Sequence, residues 1–501
     1  MPRGPLAVSA RARARHRGIP PAGWLALVAL AALPALAARP VSDLSPWLHL
    51  RVGAFLNAGG RFGQPDPWAP FAVHSYVPTQ WLPSMATAWL YEHVGLAVVV
   101  WERAAGIGVL ALALFVWGLS IARTWLALVA CSVAMLAAWG GLSKRPQLAG
   151  FILLVAMLVA WWRTGQDLRP RWHLVPLTWL AASTHGVWAI GLALGGVVVL
   201  GLALERRGAE RKIAVLAGLL VACTAAAALT PIGPRLLLTP FSVGSQGRQF
   251  VAEWLPSSVR SPAVIAVLGL LALAWWCWIG ARYRPELWRL GLWLAAFALT
   301  MSMQRTVPVG AFVALPLALD ALERRFPSTT PPGLAGVAHT ADAADAADVA
   351  DAAGSARPAG RPLAVAALLA TVVGTLVALP VSATISRSVG DVPEGLLPAL
   401  HSLPAGSRVI SQADLTGWLL WEAPALAPVE DIRIESYSAE HVRRYIAAMA
   451  AEPGWAGFIA DTGTTEALLP SRSPLAAALS EQAKWRVVGT DRGLVFLEAP
   501  R

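Results

Sequence analysis

Apolar residues in this chain are gathered into long blocks separated by short polar interruptions. The blocks run over 22–38, 96–120, 124–141, 148–162, 172–184, 187–204, 213–231, 263–281, 286–302, 307–320 and 362–383. Most approach the length that crosses a ~30 Å hydrocarbon layer as a helix, and lipid offers a bare backbone no hydrogen-bond partner, so these stretches are expected to be helices. The blocks 172–184 and 187–204 are each short for that layer at about 1.5 Å per residue. A broken hairpin turning at His185-Gly186 fits them, and charge agrees. Arg163, Arg169 and Arg171 precede the pair, and Arg206, Arg207, Arg211 and Lys212 follow it. Basic clusters stay on the cytoplasmic side, so the segment between must leave and return. Residues 1–21 carry five arginines and no acid, which puts the N-terminus inside and reads 22–38 as a retained first span. The outer side then receives 39–95, 142–147, 232–262 and everything after 384.

Two segments break the pattern. Residues 321–361 contain an Ala/Asp tract with almost nothing to bury, the composition of a disordered cytoplasmic linker. From 384 to 501 the runs shorten: SRVIS, GWLLW, DIRI and GFIAD suggest strands, Ser438–Ala451 and Ser473–Trp485 suggest helices, and RVVGTDRGLVFLE suggests a hairpin turning at Asp491-Arg492-Gly493. The expected fold is a polytopic α-helical membrane protein of about eleven spans, with a small extracytoplasmic C-terminal α/β domain.

Composition narrows the classes. Hydrophobic residues make up 56% of the chain and charged residues 14%, where soluble proteins carry about 25% charge. The net charge of +11 sits mostly in short loops and the N-terminus, with no basic stripe interleaved with aromatics, so nucleic acid is not an expected partner. Cys131, Cys223 and Cys277 all lie in apolar runs, which leaves no zinc spacing and no disulfide for the outer domain. There is no Walker loop, G-x-S-x-G elbow or H-E-x-x-H. The residue usage suggests a bacterium, and the spans its inner (cytoplasmic) membrane.

Candidate chemistry gathers in the long first outer loop, 39–95. It carries Asp43, His49, Arg51, Asp66, His74 and Glu92 among four tryptophans. A helix capped by Ser42 or Asp43 and running to about Asn57 would put Asp43, Trp47 and Arg51 on one face. Gln80–His93 suggests a second, amphipathic helix lying along the membrane surface. Ordered motifs continue beyond the loop: D-x3-W-x-H-x-R-x-G at 43–53, P-D-P at 65–67, W-L-x6-W-L-x-E at 81–92, R-P-Q-L at 145–148, T-H-G at 184–186, T-P-x-G at 230–233, E-W-x-P at 253–256 and an exposed D-x-R-x-E-x-Y at 431–437.

An acidic residue just after the first span, opening a long outer loop with surface helices, resembles the type C glycosyltransferases, and the motif set resembles an uncharacterised bacterial subgroup of them. The resemblance implies transfer of a sugar from a polyprenyl-phosphate donor to a glycan, lipid or protein acceptor at the outer face. It implies Asp43 as the general base and Asp66 or Glu253 as a second carboxylate, orienting the acceptor or holding a divalent cation. Arg51, Arg145 and Arg305 would meet the carrier phosphate, with His49, His74, Glu92 and His185 as further substrate contacts. Plainer roles stand beside these. Asp43 can cap a helix, Asp66-Pro67 can form a turn, Glu253-Trp254 can anchor at the interface, Arg145 can snorkel to headgroups, and Asp431, Arg433 and Glu435 can form a structural ion-pair ladder on a strand. Two other classes also remain: a transporter or flippase of a lipid-linked glycan, and a non-catalytic assembly or binding protein.

Overall fold

The computed structural model describes residues 19–63, 68–75, 77–143, 146–205, 209–241, 249–327, 360–385 and 390–500. Most of linker 321–361, including its Ala/Asp tract, lies outside them. Each of the eleven apolar runs contains a helix. In chain order the helices are α1 (Pro21–Ala37), α2 (Ser45–Asn57), α3 (Trp81–Val94), α4 (Ala97–Ile121), α5 (Thr124–Ala138), α6 (Pro146–Asp167), α7 (Leu174–Ala182), α8 (Trp188–Glu205) and α9 (Glu210–Ala228). They continue with α10 (Pro262–Gly280), α11 (Leu287–Ser302), α12 (Val307–Arg325) and α13 (Gly360–Ile385). Eight are long and apolar enough to cross a membrane by length and composition, and α1 and α11 are shorter apolar helices. At nine residues α7 is too short to cross alone, and the chain turns at His185-Gly186 before α8, as a broken hairpin requires.

Helix α12 is the axis of the bundle. Every residue from Val307 to Ala321 is buried, which an all-round apolar helix achieves only when surrounded; here α4, α5, α10 and α11 pack on it. Near one end of α12, Asp320 pairs with Arg289 at 3.4 Å and Arg324 at 2.8 Å, and Glu323 pairs with Arg123 at 3.1 Å.

After α13 come α14 (Leu397–His401), β1 (Arg408–Ser411), α15 (Thr416–Glu422), β2 (Ala427–Pro428), α16 (Ala439–Met449), α17 (Trp455–Thr462), β3 (Glu466–Pro470), α18 (Pro474–Glu481), β4 (Arg486–Asp491) and β5 (Leu494–Glu498). The five-stranded sheet has the order β2-β1-β3-β5-β4. β1 runs parallel to β2 and β3, and β5 runs antiparallel to β3 and β4. The expected hairpin is β4–β5, with Arg492 (φ 46°) and Gly493 (φ 77°) in the left-handed geometry of a two-residue turn. Three expected strands are corrected. GWLLW lies in α15, GFIAD lies in α17, and DIRI is irregular, leading into the short turn Ile434–Ser436. Short apolar runs do not separate strand from helix, and tertiary packing decided each.

This domain docks on the first loop. Leu48, Val52, Leu56 and Trp68 form one apolar cluster with Leu420. Trp421 meets Trp47 and Tyr91 at centroid distances of 6.4 and 5.2 Å. Gly417 makes the approach feasible: a Cβ there would lie 2.7 Å from the Leu48 backbone nitrogen. The N–H groups of Val73 and His74 both donate to the Ser436 carbonyl. Loop 39–95 and the C-terminal domain are therefore at the same end of the bundle.

Candidate active site

Between the helical bundle and the C-terminal domain lies a cavity of about 1300 Å³. The first loop contributes Asp43, His49 and His74, the bundle contributes His185, Glu253, Trp254 and Arg305, and the domain contributes Asp414, Glu430, Glu435 and Tyr445.

On the loop wall, α2 begins at Ser45, so Asp43 precedes the helix and does not share a helical face with Trp47 and Arg51. That expectation is corrected. Asp43 Oδ1 accepts the Ser45 N–H at 3.0 Å, a turn bond at the helix start, while the residue lines the cavity. The capping role and a position suited to chemistry therefore coexist. His49 Nδ1 lies 3.3 Å from Ser84 Oγ of α3.

On the bundle wall, two short turns, Ala252–Trp254 and Gln304–Thr306, are tied together. The Gln304 N–H donates to Leu255 O at 3.1 Å, and the Ser257 N–H donates to Met301 O at 3.4 Å. They bring the Arg305 guanidinium over the Trp254 ring, 5.7 Å from its centroid. Arg305 Nη2 also lies 3.3 Å from His185 Nε2. His185 is 5% exposed, and its Nδ1 faces the Val187 N–H at 3.2 Å. A neutral imidazole has a single acceptor nitrogen, so His185 accepts either the Val187 N–H at Nδ1 or the Arg305 guanidinium at Nε2, and in both tautomers it packs beside Arg305. Gly150 of α6 makes room for it, since a Cβ there would sit 2.8 Å from the His185 Cβ.

The domain wall rests on the 431–437 motif, which is buried and not exposed as expected. Asp431 Oδ1 accepts from Arg433 N at 2.7 Å and Nε at 3.0 Å, and Oδ2 also bonds the guanidinium and accepts the Tyr437 hydroxyl at 3.1 Å. Asp431 and Tyr437 are fully buried and Arg433 nearly so. The expected ladder on one strand face is thus a buried ion pair in a loop, with Glu435 turned to the cavity. His441 stacks between Tyr437 and Phe71, at 5.3 and 5.5 Å. Its Nε2–H donates to Val429 O at 3.1 Å and lies 3.7 Å from Glu430 Oε2.

Burial, with the Asp431 charge adding to it, pushes Glu430 up to about 8. Burial also raises Glu435, with Arg433 and Arg305 opposing. Glu430 has a consequence for stability, because in the unfolded chain its carboxyl titrates near 4.5. A raised folded value contributes stability that is fully present below the unfolded pKa and lost as pH rises through the folded one. Each unit of difference is worth about 1.4 kcal/mol. The thermal midpoint of the domain, followed by tryptophan fluorescence, is therefore expected to fall between pH 5 and about 8, and Glu430→Gln is expected to flatten that slope. An unchanged slope in the variant would show that Glu430 is not its source.

Two expected residues do not reach the cavity. Arg51 points to Trp68, with its guanidinium 5.5 Å from the ring centroid, and Arg433 lies 5.6 Å from the same ring. Glu92 is exposed in the last turn of α3, beyond that helix's buried face of Ser84, Thr87 and Ala88. Asp66 and Arg145 lie outside the described residues. Among the described residues no group of three or more His, Cys, Asp or Glu side chains is placed to hold a metal ion. They do not by themselves assemble a divalent-cation site. Asp414, Glu430 and Tyr445 were missed by sequence reasoning, because nothing local distinguishes a cavity carboxylate from a surface one.

No family model matches the chain, and no curated protein sequence matches it. Solved structures do. The oligosaccharyltransferase AglB from Archaeoglobus fulgidus, in complex with an inhibitory peptide and a dolichol-phosphate, superposes with a TM-score of 0.57 at 13% identity, over 89% of this chain and 69% of that one. The same archaeal enzyme in complex with Zn and sulfate gives 0.54 at 13% identity, over 89% and 68%. ArnT from Cupriavidus metallidurans in the apo state gives 0.47 at 17% identity, over 96% and 99%. Multi-pass helices, a small sheet domain docked on the first loop, and the match to AglB together show that this chain has the type C glycosyltransferase fold.

Proposed function

We propose that this chain is an inverting glycosyltransferase of a bacterial inner membrane, moving a sugar from a polyprenyl-phosphate donor to an acceptor at the outer face. The single observation that carries the reading is the common cavity: a loop carboxylate, Asp43, and an oriented guanidinium, Arg305, line one space at the end of the bundle. The carrier phosphate would sit at Arg305, which lies over Trp254 and beside His185. Asp43 would accept the proton of the acceptor hydroxyl as its oxygen attacks the anomeric carbon from the face opposite the phosphate. The bond from that carbon to the phosphate oxygen breaks, the oxygen keeps the electron pair, and Arg305 meets the charge. No step is routed through a metal ion. The transporter reading is less well supported, because Arg289, Asp320 and Glu323 lie near helix ends and not midway along spans.

Arg305→Ala is expected to lower transfer from a purified polyprenyl-phosphate sugar about 10²- to 10³-fold, the scale for losing a donor to developing negative charge. Near-normal transfer would remove Arg305 from the phosphate site. Deletion of the gene is expected to remove a glycan from the envelope, and an unchanged glycan profile would count against the reading. Single cysteines placed on loop 39–95 and on the C-terminal domain are expected to react together with an impermeant reagent from outside. Labelling from the cytoplasmic side alone would overturn the orientation.

A further inference from the structure

One wall of the cavity holds acids that the transfer chemistry leaves unused. Glu430 is 3% exposed, yet its Oε2 accepts no hydrogen bond among the described residues and the residue lines the cavity. Asp414 from the turn before α15 and Glu435 line the same wall. A buried carboxyl oxygen that accepts no hydrogen bond costs stability, and beside a cavity it is a place that a ligand's donor can complete.

The neighbouring cations already have partners. Arg433 is bound to Asp431, Arg444 of α16 is paired with Asp461, and His441 spends its Nε2–H on Val429 O. Tyr445 donates to Ser411 O at 2.6 Å, and Tyr437 donates to Asp431. Arg305 faces Glu435 from the bundle wall. Arg433 and Arg305 thus offset Glu435, whereas the charge acting on Glu430 is the like charge of Asp431, with no cation among the described residues opposing it.

We propose that Glu430 forms the subsite for an ammonium group on the acceptor, with Asp414 and Glu435 adding negative charge to the same cavity, so that the acceptor is an amine-bearing molecule whose hydroxyl is delivered to Asp43. The word acceptor rests on the transferase reading; the ammonium site itself does not. Occupation has a proton signature. Glu430 holds its proton at pH 7, because it titrates at about 8. An arriving ammonium favours the carboxylate, and the displaced proton leaves to buffer. A neutral hydroxyl in the same place would accept or donate a hydrogen bond and release nothing.

The test is calorimetry on the full-length protein in detergent at pH 7, with cadaverine as the probe and 1,5-pentanediol as its uncharged match. Buffers of different ionisation enthalpy report the protons released. Cadaverine is expected to bind and release a substantial fraction of a proton, and pentanediol is expected to bind at least about tenfold more weakly. Glu430→Gln is expected to abolish the proton release and weaken cadaverine about tenfold or more, whereas Asp43→Asn is expected to keep both. No cadaverine binding, binding without proton release, or equal binding of the diol would overturn the proposal. Should Glu430→Gln fail to fold, the proton count on the unmodified protein and the affinity of Glu435→Gln still decide it. Transfer activity without cadaverine binding would remove the amine subsite alone. Cadaverine binding without any transfer would instead remove the transferase reading.

Discussion

Replacing Asp43 by Asn is expected to lower sugar transfer about 10²- to 10⁴-fold, the range for losing a general base, while the protein folds and inserts normally. The substitution separates the two roles that this residue carries. Asp43 Oδ1 accepts the Ser45 N–H at the start of α2, and an Asn side-chain oxygen can accept the same bond. What Asn cannot do is take a proton from an attacking hydroxyl. Asp43→Ala would lose both functions, so the two variants should match in activity and differ in stability by about 1 kcal/mol, the worth of one helix-start bond. The check is initial rate with a polyprenyl-phosphate sugar beside the thermal midpoint of each variant. Full transfer by well-folded Asp43→Asn would take the residue out of the chemistry.

The second large effect is on stability. Asp431→Ala is expected to destabilise the C-terminal domain by roughly 3–5 kcal/mol, because it leaves the Arg433 guanidinium buried without its counter-charge. The same change strips the Tyr437 hydroxyl of its acceptor. The cost arises from one unpartnered group and not from the pair as such. A double replacement, Asp431→Leu with Arg433→Met, is therefore expected to be less destabilised than Asp431→Ala alone. Chemical unfolding monitored by tryptophan emission measures both, and Trp68, which lies near the guanidiniums of Arg51 and Arg433, makes the junction visible. A loss below about 1 kcal/mol for Asp431→Ala would show that the pair is not a structural keystone.

Much of the cavity lining is legible in the sequence alone. Asp43, His49, His74, His185, Glu253 and Arg305 stand out by loop position and residue type, and all six line the cavity. Arg51 is misplaced when the helix is taken to start at Asp43. With α2 starting two residues later, Asp43 leaves the helical register and Arg51 reaches Trp68. Glu92 shares the loop with the true lining residues but lies in the last turn of α3, on the exposed side. The domain acids escape for a different reason. Glu430 and Asp414 stand in no spacing that marks them, and only the docking of the domain on the first loop turns them toward a shared space.

What the sequence determined by itself is the membrane class and the helices of the apolar runs. Hydrocarbon-length apolar runs have one backbone solution in lipid, so local composition carries that information. The hairpin β4–β5 was equally local, because two left-handed positions in a two-residue turn specify it. The tertiary structure decided whether GWLLW and GFIAD became helix or strand, whether the 431–437 motif was buried, and which carboxylates meet Arg305. Those outcomes depend on contacts between residues hundreds of positions apart, such as Leu48 with Leu420, and no short window of sequence contains both partners.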